Sequence, residues 1–141
     1  MKIFLDTSSL IKLYHREAGS YIVDNIFQQN TITEIFLSEL TKIEFVSAFW
    51  KKARTQEITV IKAGQLITVF EKDFKKYTFI PINTHIISNA QVFITKYAQQ
   101  GLRTLDCIQL SIAVSLINDV NLFVTSDKLM ESFFKQEQLP V

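Results

Sequence analysis

The chain begins with MKIFLDTSSLIKLY, residues 1–14. Its short apolar run, Lys2–Leu5, is typical of a buried strand. The strand ends at Asp6, and the polar segment Asp6–Ser9 is rich in the residue types that cap helices. Apolar residues then return over 10–14 with spacing that favours a short helix. A buried strand leading directly into a helix predicts a βα unit, from which parallel sheets are built.

Strand-like and helix-like segments alternate along the rest of the chain. Further strands are predicted at Ile35–Leu37, Tyr77–Ile82 and Leu122–Val124, and Pro81 places the Tyr77–Ile82 strand near a sheet edge. Apolar residues at a spacing near 3.6 predict helices between them, and Thr104 is the expected N-cap of one of these helices. The pattern therefore predicts an α/β fold with a mostly parallel sheet flanked by helices.

Length and composition narrow the class of protein. The chain has 141 residues, 48% of them hydrophobic, which suits a single domain over residues 1–141 with a substantial core. Fifteen Lys and Arg balance 14 Asp and Glu, so net charge alone does not indicate a nucleic-acid partner. The single cysteine, Cys107, fits a reducing compartment. No segment resembles a signal peptide or a membrane span, so we expect a cytoplasmic protein without a membrane partner.

The chain is also rich in phenylalanine, with 12 residues of this type. A phenylalanine-rich core explains most of them, and some rings can serve a self-association surface instead. Because twofold oligomers are common among soluble proteins, we expect a homodimer.

Four acidic residues fall at related places in the predicted fold. Asp6 follows the first strand and Asp127 the last one, whereas Glu44 and Asp106 lie in early turns of helices. Ligands of open α/β sheets gather at the carboxyl ends of the strands, so these side chains are expected to converge in space. Clustered carboxylates repel one another unless protons or cations compensate. Hard oxygen ligands select Mg²⁺ or Mn²⁺, ions that commonly serve phosphate chemistry.

Each acid taken alone also has an ordinary structural explanation. Asp6 and Asp127 suit helix N-caps, and Asp106 in a first helical turn suits the helix dipole. Glu44 is the least ordinary, because a carboxylate beside an apolar stripe costs free energy when it is buried without a partner. Neighbouring polar side chains are candidates to orient the carboxylates or to contact a substrate phosphate, with simple capping or a surface ion pair as the alternative: Thr7, Ser8, Arg103, Thr104, Thr125 and Ser126.

Four segments together resemble the motifs of the PIN-domain nucleases, and within them the VapC-type toxins of prokaryotic toxin–antitoxin pairs. FLDTSSLIKLYHREAGS (4–20) resembles the first motif, with Glu17 as its downstream acid. SELTKIEFVSAFW (38–50) resembles the second motif, with Glu44 as its acid. LRTLDCIQLSIA (102–113) resembles the third, with Asp106, and FVTSDKLM (123–130) resembles the fourth, with Asp127. The resemblance extends from Lys2 to about Met130, and it departs from the family pattern at Cys107, where a small residue is common.

The resemblance implies a PIN-like three-layer sandwich with a mostly parallel central sheet of four or five strands. It also implies a hydrolase, an endoribonuclease dependent on Mg²⁺ or Mn²⁺. Asp6 and Asp106 would be the main metal ligands, and Glu44 and Asp127 would hold a second ion or position water. The RNA substrate of VapC-type members is often a transfer or ribosomal RNA. A small antitoxin protein blocks their site, so an antitoxin is an expected partner.

Other functions share parts of this pattern. A PIN domain can process RNA without an antitoxin, and an inactive PIN scaffold would only bind RNA or protein, although four retained acids argue against the latter. A receiver domain needs a phosphoacceptor Asp after a central strand and a lysine after a later one, and we find no convincing lysine. A haloacid-dehalogenase-type phosphatase needs an acid two residues after Asp6, where Ser8 stands. The basic residues Lys51, Lys52, Arg54 and Lys62 suit either an RNA-binding surface or a solvated helix face.

Overall fold

The computed structural model describes residues 1–141. The strands are β1 (Lys2–Leu5), β2 (Glu34–Ser38), β3 (Thr78–Ile80) and β4 (Leu122–Val124). The helices are α1 (Thr7–Tyr14), α2 (Ser20–Gln29), α3 (Thr41–Arg54), α4 (Val60–Lys72), α5 (Thr84–Lys96), α6 (Thr104–Ser115) and α7 (Lys128–Gln136). Short 3₁₀ turns at Phe74–Lys76 and Ala98–Gln100 follow α4 and α5.

The four strands form one sheet in the order β3-β2-β1-β4, and every neighbouring pair is parallel. On β1, Ile3 pairs with Ile35 of β2 on one side and with Leu122 of β4 on the other. The chain runs outward from β1 to β3 and then returns to the far side of β1 as β4. A crevice opens at such a reversal of strand order, at the carboxyl ends of the strands.

Side chains of β1 alternate between two cores, one on each face of the sheet. Ile3 and Leu5 pack with apolar residues of α1, α3 and α4. Phe4 faces the other way and packs with residues of α5, α6 and α7. Helices therefore cover both faces, which confirms the predicted α/β sandwich with its parallel sheet. None of these helices combines the length and the apolar character needed to cross a bilayer.

Two local predictions differ from the structure. β3 covers only Thr78–Ile80 rather than Tyr77–Ile82, because its only partner, β2, ends at Ser38 opposite Ile80, and the last bond between the two segments runs from the Glu39 N–H to the Ile80 carbonyl. Thr104 is not the N-cap of α6. The extended backbone ends at Arg103, with φ −89° and ψ 161°, so Arg103 takes the cap position and Thr104 is already the first helical residue.

Aromatic rings fill the core beneath α3. The ring centroid of Phe45 lies 4.1 Å from that of Phe70 and 4.6 Å from that of Phe49, and all three side chains are fully buried. Phe45 directly follows Glu44 in the sequence. The packing of this ring therefore anchors the helical turn that carries one of the four acids.

Replacing Phe45 by Ala is expected to lower the free energy of unfolding by about 3–5 kcal/mol, because it leaves a cavity among these rings. The matched control is Ile43→Ala, two residues away in the same turn, where the side chain is 70% exposed. That change is expected to cost less than about 0.5 kcal/mol. Urea unfolding of both variants measures the difference. Similar losses for the two would contradict the described packing.

Candidate active site

One cleft at the carboxyl ends of the strands contains all four acids that the sequence predicts. Its volume is about 530 Å³. Asp6 follows β1 directly, Asp127 lies just beyond β4, and Glu44 and Asp106 lie in the first turns of α3 and α6. The residues that line the cleft are Asp6, Thr7, Ser8, Ile11, Glu44, Ala48, Lys51, Arg103, Asp106, Gln109 and Asp127.

Asp6 is buried and held by three donors. Its Oδ1 accepts hydrogen bonds from the Ser8 hydroxyl at 2.7 Å and from the Ser9 N–H at 3.0 Å, so Asp6 also caps α1. Its Oδ2 accepts from the Thr125 hydroxyl at 2.5 Å. Burial raises the pKa of Asp6 to about 6, the three hydrogen bonds oppose this rise, and the charge of Asp127 adds to it. No Lys or Arg side chain pairs with this carboxylate.

Glu44 is held by a network that includes a residue the sequence analysis missed. Its Oε1 accepts hydrogen bonds from the Thr7 hydroxyl at 2.8 Å and from Gln109 Nε2 at 2.7 Å. Gln109 Nε2 also lies 3.0 Å from Thr41 Oγ1. Burial raises the pKa of Glu44, the bonds from Gln109 and Thr7 partly offset this, and the charge of Asp106 adds to the rise.

Gln109 is only 2% exposed, and its Oε1 has no hydrogen-bond partner. The opposite orientation of the amide would direct this oxygen at the Glu44 carboxylate, so repulsion fixes the orientation seen. Gln109 lies three residues after Asp106 and therefore shares its face of α6. That spacing, with a polar amide inside an apolar helical segment, was the signal that could have identified it.

Asp106 and Asp127 share one counter-charge, the guanidinium of Arg103. Its Nε lies 3.0 Å from Asp106 Oδ2, and another of its nitrogens lies 3.9 Å from Asp127 Oδ2. The Arg103 side chain is 74% exposed, so solvent screens these pairs and they are weak. Asp127 also caps α7, because its Oδ1 accepts hydrogen bonds from the N–H groups of Leu129 and Met130.

The other predicted supporting residues differ in how they contact the site. Thr7, Ser8 and Thr125 donate directly to carboxylates of the cleft. Ser126 acts one step further away, because its N–H donates to the Ser8 hydroxyl. Thr104 is exposed and its hydroxyl meets none of the four acids, so the structure does not bring it into the site.

The donor set of this cleft suits a hard divalent cation. Glu44 Oε2, Asp106 Oδ1 and Asp127 Oδ2 accept no hydrogen bond from the protein. Four carboxylates thus face one exposed guanidinium as their only ion-pair partner, and burial has already raised two of their pKa values. A divalent ion would supply the missing positive charge to oxygen ligands of the kind it prefers. The carboxylates stand apart, since no three of them bring oxygens within 4.8 Å of one another.

A second group of metal-ligand residue types lies at an adjoining cavity, which two of its members, Glu17 and Glu57, line. Ligand atoms of His15, Glu17 and Glu57 lie within 4.8 Å of one another. Ammonium groups already compensate this group: Lys52 Nζ is 2.8 Å from Glu17 and 3.1 Å from Glu57, and Lys12 Nζ is 3.0 Å from Glu17. Burial works to raise the pKa of Glu17, but the two lysines outweigh it and the pKa is lowered. This trio therefore lacks the unpaired charge that would favour a metal ion.

Asp6→Asn is expected to stabilise the protein at neutral pH in the presence of a chelator. The folded pKa of Asp6, about 6, lies above the unfolded value near 4, so the folded chain binds this proton more tightly. Stability is therefore lost as the pH rises from about 4 to about 6, and the full penalty of about 2–3 kcal/mol persists above that range. Asn removes this penalty while keeping the capping oxygen.

Urea unfolding of wild type and Asp6→Asn at pH 4 and pH 7.5 measures this difference. We expect similar stabilities at pH 4 and a more stable variant at pH 7.5. An equal difference at the two pH values would show that the Asp6 carboxyl carries no penalty of burial.

Comparisons with known proteins agree with this architecture. The sequence matches the PIN domain family over residues 3–133. No curated protein matches the chain. Solved structures with a similar fold include VapBC-1 from nontypeable Haemophilus influenzae, at a TM-score of 0.65 and 17% identity over 96% of this chain and 94% of that one.

Two further structures share the fold. Mycobacterium tuberculosis VapC20, a sarcin–ricin-loop-cleaving toxin, aligns at a TM-score of 0.69 and 11% identity over 92% of this chain and 93% of that one. A toxin–antitoxin complex from Klebsiella pneumoniae aligns at 0.61 and 17% identity over 89% and 86%. At such low identity these likenesses show a shared fold. The family match spans nearly the whole sequence, including all four acids, and the chain belongs to the PIN domain family.

Proposed function

We propose that this protein is a metal-dependent endoribonuclease and the toxin of a toxin–antitoxin pair. One observation carries the proposal: acids from four distant segments of the chain line a single cleft. Two of them, Asp6 and Glu44, are held there without a basic partner. Burial disfavours their charged forms and raises both pKa values. Carboxylates with perturbed pKa values are concentrated at functional sites, where their charge takes part in binding or catalysis.

Asp6, Glu44, Asp106 and Asp127 would hold Mg²⁺ or Mn²⁺. A bound divalent ion supplies positive charge to a phosphodiester and lowers the pKa of a water molecule that attacks it. Eight of the 11 residues that line the cleft lie in α1, α3 and α6, and the other three, Asp6, Arg103 and Asp127, each directly precede a helix. Sites on such elements hold their ligands more accurately.

The remaining side chains would keep these carboxylates in position. Three donors fix Asp6, and Gln109 with Thr7 fixes one oxygen of Glu44 while its other oxygen stays free. Such outer contacts set the orientation of a metal ligand. Arg103 is exposed and only weakly paired, so its guanidinium is available to leave Asp106 and bind a substrate phosphate.

The toxin role and the RNA substrate rest on the shared fold. The M. tuberculosis relative cleaves the sarcin–ricin loop, and the K. pneumoniae structure is a toxin–antitoxin complex. By analogy, a ribosomal or transfer RNA in the cytoplasm is the proposed substrate here, and a small antitoxin is the proposed inhibitor. An Arg or Lys of that antitoxin would pair with the uncompensated carboxylates of the cleft. A homodimer remains a prediction.

Asp6→Asn and Asp106→Asn are each expected to reduce RNA cleavage by at least about a hundredfold, because loss of one carboxylate weakens metal binding and its geometry. Purified wild type and variants are incubated with total cellular RNA, with Mn²⁺ and with chelator. The matched control is Asp119→Asn, an exposed acid outside the cleft, which should cleave like wild type. Full activity of either site variant, with the fold intact, would contradict the assignment of Asp6 and Asp106 as metal ligands.

Expression of the chain alone is expected to arrest growth, and co-expression of the proposed antitoxin should relieve the arrest. The Asp106→Asn variant should not arrest growth, because it lacks one of the proposed ligands. Growth curves and the integrity of ribosomal and transfer RNA measure both effects. Normal growth with intact RNA on expression of wild type would contradict the toxin role.

A further inference from the structure

The acid cleft continues into a second cavity of about 500 Å³. The two share part of their walls: Ser8, Ile11, Ala48, Lys51 and Asp127 line both. Lys12, Glu17 and Lys52, which form one ion-pair group, line the second cavity but not the acid cleft. An extended ligand bound at the acids therefore has a continuous path along the protein surface in this direction.

One face of α3 forms the floor of that path. Glu44, Ala48 and Lys51 are spaced i, i+4 and i+7, so they lie in one row along the helix. At 1.5 Å per residue, Lys51 stands about 10 Å along the helix axis from Glu44. The small side chain of Ala48 separates the acidic part of the row from its basic end.

The lysines of the second cavity differ in how they are paired. Lys12 and Lys52 are mostly buried, and both donate to Glu17. Lys51 is exposed, and its side chain takes part in no ion pair or hydrogen bond. Asp127 lines both cavities but lies beyond ion-pair distance of it. Lys51 is thus the cation of this cavity that can bind an anion without first breaking a contact.

We infer that Lys51 binds a phosphate of the RNA strand next to the scissile one, so that the strand runs along α3 from the acid cleft toward the Lys12–Glu17–Lys52 group. The inference rests on the proposed endoribonuclease function. A strand that crosses four carboxylates needs a nearby cation to hold it. Lys51 lines both cavities, about 10 Å along the helix axis from Glu44, and is therefore placed for a phosphate that flanks the scissile one. Lys52, its neighbour in the sequence, has a structural role instead, because it ties α3 to Glu17.

Lys51→Gln removes the charge and keeps most of the length of the side chain. The matched control is Lys72→Gln, since Lys72 also lies in the last turn of its helix, is exposed and forms no ion pair, but lies outside both cavities. Binding of a labelled single-stranded RNA is measured by fluorescence anisotropy over a range of salt concentrations. Both changes are placed in the full-length Asp106→Asn variant, and chelator is added, so that cleavage is suppressed during the measurement.

Lys51→Gln is expected to weaken RNA binding about fivefold and to reduce the slope of log affinity against log salt by about 0.7, the value for one phosphate contact on a single strand. Lys72→Gln should change neither quantity, and Lys51→Arg should restore both. In the otherwise unaltered protein, Lys51→Gln should raise KM about fivefold, with kcat and the Mn²⁺ concentration for half-maximal activity unchanged.

The inference fails if Lys51→Gln and Lys72→Gln give the same slope and affinity, because the attraction would then be diffuse rather than a site. Metal-dependent cleavage by wild type would leave the proposed function standing in that case. If wild type cleaves no RNA with any metal, the proposed function fails. The assignment of Lys51 as a phosphate ligand is then judged by the salt slope alone.

Discussion

Parallel pairing of β1 with both of its neighbours is the constraint on which the site depends. Because β2, β1 and β4 run in the same direction, the segments that follow them start at one edge of the sheet. The N–H of Asp6 donates to the carbonyl of Val124 at 3.1 Å, which extends the β1–β4 ladder one residue past the strand. This bond holds Asp6 beside Thr125. A slip of one residue would turn the carboxylate away from the cleft.

The sheet thereby brings four carboxylates into one cleft, and the surrounding residues compensate their negative charge only in part. Hydroxyl and amide donors hold Asp6 and Glu44 in place, yet their pKa values stay raised because burial outweighs these neutral contacts. Arg103 offsets charge on the two more exposed acids, weakly. In the neighbouring cavity Lys12 and Lys52 compensate Glu17 fully, and its pKa is lowered. The acid cleft, unlike the neighbouring cavity, therefore has uncompensated negative charge that a bound cation would neutralise.

The sequence predicted the fold and the place of the four acids, because both follow from local patterns: alternating strands and helices, and the positions where strands end. It did not predict Gln109, whose contact with Glu44 depends on how α6 packs against α3. It also could not separate Lys51 from Lys52, since neighbouring helical residues point about 100° apart and only the packing of α3 shows which one meets the cleft. Thr104 has the preferred residue type for a cap, but the backbone enters the helix one residue earlier.

The central claim is that the cleft lined by these four acids binds divalent cations, and metal-dependent stability tests it most directly. Melting temperatures of wild type and of single Asp→Asn or Glu→Gln variants at the four positions are compared in chelator and at saturating Mn²⁺. At 100 times its dissociation constant, one ion should add about 2.7 kcal/mol to wild type, or roughly 8 °C. Each variant should lose most of this gain. An equal gain in all four variants, or none in wild type, would contradict a shared site.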